Sequence, residues 1–278
     1  MTARLEALRL VRSRRPLMAA ASVTLFLALM LVGFYTYAQS RTGGDADFRY
    51  TFENRSYFNG LTFALYAFYF GFVLVLPIFA ATEGGAQLAG DTGDGTLNLL
   101  LTRPISKARL FLTKLGLAAG YAALLVGGFL ALALGIGLFA VGWGDLDLYP
   151  GVLQMTDRPQ HMSQGQGLAR FLLAWPFASI ALLAPLAFSF LVSAWSRSAV
   201  NAVGTSVALY LVLYVVAEVH FFQELRPWLF TSYLAYWREL FREDIAWEPL
   251  LRDGAKLTGF TLLFTALAFR RFRTREEI

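Results

Sequence analysis

RFLLAWPFASIALLAPLAFSFLVSAW (residues 170–195) is followed by Ser196-Arg197-Ser198 and then by AVNAVGTSVALYLVLYVVAEVHFF (residues 199–222). Each run supplies the roughly 20 apolar residues needed to cross about 30 Å of hydrocarbon, and a connection this short forces an antiparallel return. The pair therefore reads as two membrane-crossing helices in a hairpin. Pro176 and Pro185 each remove a helix hydrogen bond from the first, so a kink stabilised by neighbouring helices is expected there.

Working outward, similar apolar runs lie near 17–38, 60–82, 110–141 and 250–270, which predicts six spans in one transmembrane domain over 1–278. The last run is marginal. Its uninterrupted part, Leu257 to Phe269, reaches spanning length only if Arg252, Asp253 and Lys256 sit at the interface. With 57% hydrophobic and only 15% charged residues, the chain departs from soluble proteins in the direction that makes lipid its solvent. An all-α integral membrane protein is the expected fold class. Cysteine is absent, which excludes disulfides, Cys-based zinc sites, iron–sulfur clusters and thiol nucleophiles.

At the N-terminus Leu5, Leu8 and Val11 alternate with Arg4, Arg9, Arg12 and Arg15 ahead of Pro16. That spacing suits a basic amphipathic helix over 1–15 lying on an anionic leaflet. Arg12, Arg14 and Arg15 before an apolar run imitate a signal peptide, but the run continues to Ala38 and no A-x-A site follows. A retained first span is the expectation. Fourteen of the 24 Lys and Arg residues fall in 1–16, 103–114, Arg197 and 270–278, so the positive-inside rule puts both termini and the 83–109 loop in the cytoplasm of a cell (inner, cytoplasmic) membrane protein. Topology thus accounts for the net charge of +5, and no basic stripe interleaved with aromatics suggests nucleic acid. Outside lie 39–59, the polar loop 142–169, and 223–249, where Trp228, Tyr233, Tyr236, Trp237 and Trp247 predict one or two interfacial helices.

The 83–109 loop is unusually patterned: Glu83, then Asp91, then Asp94-Gly-Thr96-Leu97-Asn-Leu-Leu100-Leu-Thr-Arg103-Pro104-Ile-Ser106-Lys107-Ala-Arg109, and Lys114 beyond. Asp94 can cap a short helix with Leu97 and Leu100 on its apolar face, and Pro104 ends it. Ser106 can cap the third span, with Ile105 and Leu110 as a staple. A short capped helix held between two spans is a rigid lever.

Gly95-Thr96-Leu97, Leu100-Leu101, Arg103-Pro104, Ser106 and Lys114 resemble the first cytoplasmic loop of permease subunits of ABC-2 type ABC transporters, E…GTL..LL..P.SR…..K. Lys107 stands where that family often has Arg, and Glu83, Asp91 and Asp94 all compete for its acidic position. The resemblance implies an ABC-2 (type V exporter-like) permease fold with a coupling helix seated on a separate ABC ATP-binding subunit, two copies per assembly. It also implies a second permease copy as a homodimer partner, a lipid surround, export, and ATP and Mg bound by the partner subunit with no cofactor or catalysis in this chain. The coupling role falls on Asp91, Asp94, Thr96, Leu97, Leu100, Arg103, Pro104, Ser106, Lys107, Arg109 and Lys114. The alternatives from other classes are a membrane scaffold or an intramembrane enzyme without transport activity.

Several look-alikes do not carry chemistry. Gly85 to Thr92 has Walker A glycine spacing, but Asp91 stands where Lys must meet phosphate. Gly142-Trp143-Gly144-Asp145 resembles an intramembrane aspartyl protease motif but has no second Asp within a span. His161 with Met155 and Met162 has the donor types of a copper site, yet reads as an ordinary loop. Gly116 and Gly120 form a G-x-x-x-G pair for helix packing, within the subunit or between copies, and Asn201 is an amide expected to be buried in a span for the same purpose.

Overall fold

In a computed structural model, which describes residues 15–42, 51–52, 55–93, 106–149, 153, 155 and 158–274, the apolar runs fold as helices started by the polar residues that flank them. Helix α1 is Arg15–Thr42. After a two-residue strand pair, β1 (Thr51–Phe52) and β2 (Arg55–Ser56), Asn59 accepts from the backbone N–H groups of Leu61 and Thr62 and so begins α2 (Gly60–Phe70). A π turn, Gly71–Val75, joins α2 without a break to α3 (Leu76–Gly93). Helix α4 is Lys107–Ile136, ending in a second π turn at Gly137–Val141. Strands β3 (Leu146–Leu148) and β4 (Gln160–Met162) form an antiparallel hairpin with Asp147 opposite His161. Helices α5 (Gln164–Trp195), α6 (Ala199–Glu218) and α7 (Trp247–Thr274) complete the bundle.

Five of these helical stretches are long and apolar enough to cross a membrane: Leu17–Tyr37, Gly60–Asp91, Lys107–Val141, Gln164–Trp195 and Ala199–Glu218. Helix α7 does not join them on composition, because Glu248, Arg252, Asp253 and Lys256 occupy its first turns and Arg270, Arg271 and Arg273 its last. The α5 span is 67% buried, whereas those of α1 and α6 are 17% buried. Helix α5 is thus the central post, with α3, α4, α6 and α7 packed along it, and α1 is a peripheral rib. It touches the rest through Ala19, Val23 and Leu27, one turn apart on one face, and through Phe34 against Phe58 and Phe63.

The two prolines lie inside an unbroken α5. Serine hydroxyls serve that helix, Ser179 donating to the Trp175 carbonyl at 2.7 Å and Ser189 to that of Pro185 at 2.8 Å. Close crossings use glycine. A Cβ on Gly60 would lie 2.5 Å from the Gly137 backbone, and one on Gly137 would lie 2.4 Å from the Gly60 carbonyl oxygen. Here the start of α2 and the end of α4 touch backbone to backbone, and the Gly60 N–H donates to the Gly142 carbonyl at 2.8 Å.

Two stretches differ from the sequence-based expectation. The second apolar run does not end at 82; α3 carries it to Gly93, because Ala, Gly, Gln and Leu continue the helix against α5 and α6. The 223–249 segment is not simply a pair of surface helices. His220–Trp228 is a 3-10 stretch with no buried residue, but the 3-10 turns Phe230–Tyr233 and Tyr236–Phe241 fold into the bundle. Trp237 is fully buried, its ring 4.4 Å from that of Phe68 and 5.6 Å from that of Phe72, and Phe241 meets Phe171 at 4.9 Å. The Tyr236–Phe241 turn packs on α5 and α7, and its aromatic rings reach α2 and the π turn that follows it. Burial pushes the Tyr236 phenol well above the usual range, and its hydroxyl donates to the Phe177 carbonyl at 2.9 Å.

The bundle therefore has two distinct ends. The hairpin end carries β3–β4, the 3-10 turns and the starts of α2, α5 and α7. The loop end carries the end of α3, the start of α4 and the α5–α6 turn.

Candidate functional site

The loop end contains the buried polar groups that a lever would need at its root. Glu83 is 3% exposed and accepts from the Gln87 amide one turn further along α3. The two residues that follow it, Gly84 and Gly85, allow α3 to press onto two neighbours at once. A Cβ on Gly84 would sit 2.6 Å from the Leu186 carbonyl oxygen of α5, and one on Gly85 3.1 Å from the Val203 Cα of α6.

At that crossing the Ser193 hydroxyl of α5 donates to the Gly85 carbonyl at 2.6 Å and accepts from the N–H groups of Ala89 at 2.8 Å and Leu88 at 3.1 Å. Gly85 and Ala89 are the pair that a regular α-turn joins directly. A side chain inserted at such a pair is a recognised cause of helix bending. The hydroxyl is itself fully buried, where interhelical hydrogen bonds have no water to compete with them.

One turn beyond, Asp91 meets Lys114 of α4, Oδ2 to Nζ, at 2.7 Å, with side chains 4% and 2% exposed. This ion pair spans the two roots of the 94–105 segment, Asp91 at the end of α3 and Lys114 two turns into α4. Removing one partner of a buried pair strands the other charge, at a cost of about 3–5 kcal/mol. On the far side of the root, Ser106 caps α4 by accepting from the Arg109 N–H at 3.3 Å. Leu110 and Phe111 are buried, and Phe111 packs on Phe190 of α5 and on Phe269 and Phe272 of α7. The Arg271 guanidinium stacks 4.9 Å above the Trp195 ring. The start of α4 is thereby tied to α3, α5 and α7.

Of the residues singled out in sequence, the fold brings Asp91 and Lys114 together and makes Ser106 a cap. Lys107 is half-buried and Arg109 exposed on the first turn of α4. Asp94, Thr96, Leu97, Leu100, Arg103 and Pro104, and with them the short helix itself, lie outside the described residues, as do the 1–14 segment and Ile105. Gly116 and Gly120 are exposed, and a Cβ on either would meet nothing within 4 Å. Among the described residues, neither packs against another helix. Asn201, expected to be buried, is exposed on the outer face of α6, because the α6 stripe facing the bundle is Ala202, Ser206, Tyr210 and Ala217 instead. Ser193 and the Gly84–Gly85 pair were missed. Small residues on two separate spans were visible, but not their pairing.

At the other end, His161 does not join the two methionines in a polar loop. Its Nδ1 lies 2.6 Å from Asp147 Oδ1 across the hairpin, and Met155 and Met162 are buried in the core. Asp145 caps α5, accepting from the Gln164 N–H at 2.9 Å. It belongs to a turn that starts a helix.

Residues 1–223 match the family described as ABC-2 family transporter protein. The chain belongs to that family. It is an ABC-2 type permease, a multi-pass membrane component of transport with no catalytic role of its own implied by its family. No curated protein matches the sequence. The matched part of the permease takes in α1 to α6, and the two buried 3-10 turns and α7 lie beyond it.

Proposed function

We propose that this ABC-2 permease forms the membrane pathway of an ATP-driven exporter and takes its stroke from a separate ATP-binding subunit through the 94–105 segment. The observation that carries this reading is the buried Asp91–Lys114 pair. A desolvated ion pair between the two roots makes α3 and α4 move together. An ATPase that changes shape can then shift the helices only through contacts that differ between its states, and Leu97, Leu100 and Arg103 are the residues assigned to those contacts.

Helix α7 crosses the membrane as a sixth span, since its 28 residues give a length of about 42 Å; both termini are then cytoplasmic. Two copies assemble, with the unpacked line of Gly116, Gly120, Leu124 and Gly128 on α4 facing the second copy, as small residues do where helices approach closely in lipid.

The test is purification of the full chain from gently solubilised native membranes, identification of what accompanies it, and an ATPase assay. Recovery of an ATP-binding subunit whose hydrolysis changes with Leu97→Asp supports the reading. A chain that purifies alone, or turnover untouched by Leu97→Asp in an intact complex, removes it.

A further inference from the structure

A cavity of about 120 Å³ lies at the hairpin end, between the π turn after α2, the end of α6 and the turn Phe230–Tyr233. Its volume is roughly eight to twelve times the ~10–15 Å³ that admits one water. The charged groups of its lining are the guanidinium groups of Arg226 and Arg238 and one carboxylate, Glu218, which leaves it net positive. Among the described residues neither arginine forms an ion pair.

Both cations are held in place by neutral acceptors. The Arg238 Nε donates to the Ala235 carbonyl at 3.1 Å and its Nη1 to that of Leu153 at 3.2 Å, while its guanidinium sits 5.7 Å over the Tyr69 ring. The Arg226 Nε donates to the Ala217 carbonyl at 2.7 Å. These bonds fix the heads without neutralising them, and leave Nη2 of Arg238 and Nη1 of Arg226 uncommitted among the described residues. The hydroxyls of Tyr214 and Ser232 are likewise uncommitted there. Depth is set by the surroundings. Helix α6 stops at Glu218, and the next residues, including Phe221 and Trp228, are 85% and 77% exposed, the aromatic character of a membrane–water interface.

We propose that this cavity binds the phosphate group of an anionic ligand, held by Arg226 and Arg238 and by the hydroxyls of Tyr214 and Ser232. Pre-positioned guanidinium groups match phosphate oxygens in charge and in donor geometry. Glu218 sets a limit on affinity by repulsion. The phosphate comes either from a phospholipid headgroup of the leaflet at this end or from a soluble phosphate.

The full-length permease, purified in neutral detergent, is offered phosphatidylglycerol and phosphatidylcholine in equal amounts, and retained lipid is read by native mass spectrometry. Thermal shift is measured in parallel with inorganic phosphate. The wild type should retain phosphatidylglycerol preferentially, the double variant Arg226→Gln/Arg238→Gln should lose about tenfold of that preference, and Glu218→Gln should raise it. Ser232→Asp, a change at an exposed rim residue that leaves both arginine tethers intact, should abolish it and guards against a double variant that fails to fold. Competition by inorganic phosphate assigns the site to soluble phosphate as well, and its absence assigns the site to the headgroup. Equal retention of the two lipids with no phosphate shift, or unchanged retention by Ser232→Asp, overturns the proposal.

Discussion

The two ends of the bundle are built from opposite materials. At the loop end, α3, α4 and α5 are joined by short bonds between buried polar groups, the Asp91–Lys114 pair and the bridging Ser193 hydroxyl. At the hairpin end, the 3-10 turns are held by aromatic faces, Trp237 on Phe68 and Phe72, the two arginines of the cavity bond to backbone carbonyls, and the arginine ion pairs, Arg242 with Glu239 and Arg252 with Asp253, are partly exposed. A buried ion pair in a low-dielectric surround has one good geometry, so it transmits displacement. Hydrophobic burial is non-directional, and the aromatic rings add only edge-to-face and tilted preferences.

The largest effect is expected of Lys114→Met, which removes the buried cation 2.7 Å from the Asp91 carboxylate. A destabilisation of about 3–5 kcal/mol is expected in thermal melting of the purified chain, and Asp91→Leu added to it should restore most of the loss while leaving coupling to an ATPase impaired. Full stability in the single variant would mean the pair does not hold the root. Trp237→Ala is the matching change at the other end. It should cost about 3–5 kcal/mol through lost packing, with no second-site partner able to rescue it as the double variant does for Lys114. Next in size is Ser193→Ala, expected at about 1–3 kcal/mol because the Gly85 carbonyl and the Ala89 N–H lose their bridge inside the core. Hydrogen exchange at Leu88 and Ala89 should rise selectively if the hydroxyl is the stitch. The smallest effect is reserved for His161→Ala. Its imidazole is partly exposed while the Asp147 carboxylate is buried, so water can replace the ring only in part and the change should cost about 1–2 kcal/mol; a larger melting shift would show that the hairpin end depends on this pair as the loop end does on Asp91–Lys114.

What could be read early follows from which interactions are local. The apolar runs and their flanking basic residues place α1 to α6 almost without tertiary information, since in lipid each helix satisfies its own backbone. Ser106 was legible as a cap for the same reason, because its partner is three residues away. Glu83, Asp91 and Asp94 were equivalent candidates for an acidic role in the loop motif. Only the crossing of α3 and α4 sets Asp91 against Lys114.

Other features were open in the sequence. Gly116 and Gly120 spell a packing motif, yet periodicity cannot say whether the face they mark looks into the subunit or out of it, and here it looks out. Asn201 was read as an amide buried in a span, for packing within the subunit or between copies; the register of α6, fixed by Ala202, Ser206 and Tyr210, puts it on the outer face. The aromatics of 223–249 matched an interfacial composition. Their burial depends on α2, α5 and α7, which meet them only in the packed bundle.

The sequence by itself determined that this chain is a helical membrane protein, where its main spans run, and which loop resembles that of an ABC-2 permease, because hydrophobic length, charge placement and a contiguous motif are properties of the chain alone. Tertiary structure decided the Asp91–Lys114 pairing, the Ser193 bridge and the arginine-lined cavity at the end of α6. Each of these joins residues more than ten positions apart, and contacts of that kind exist only after the helices have packed.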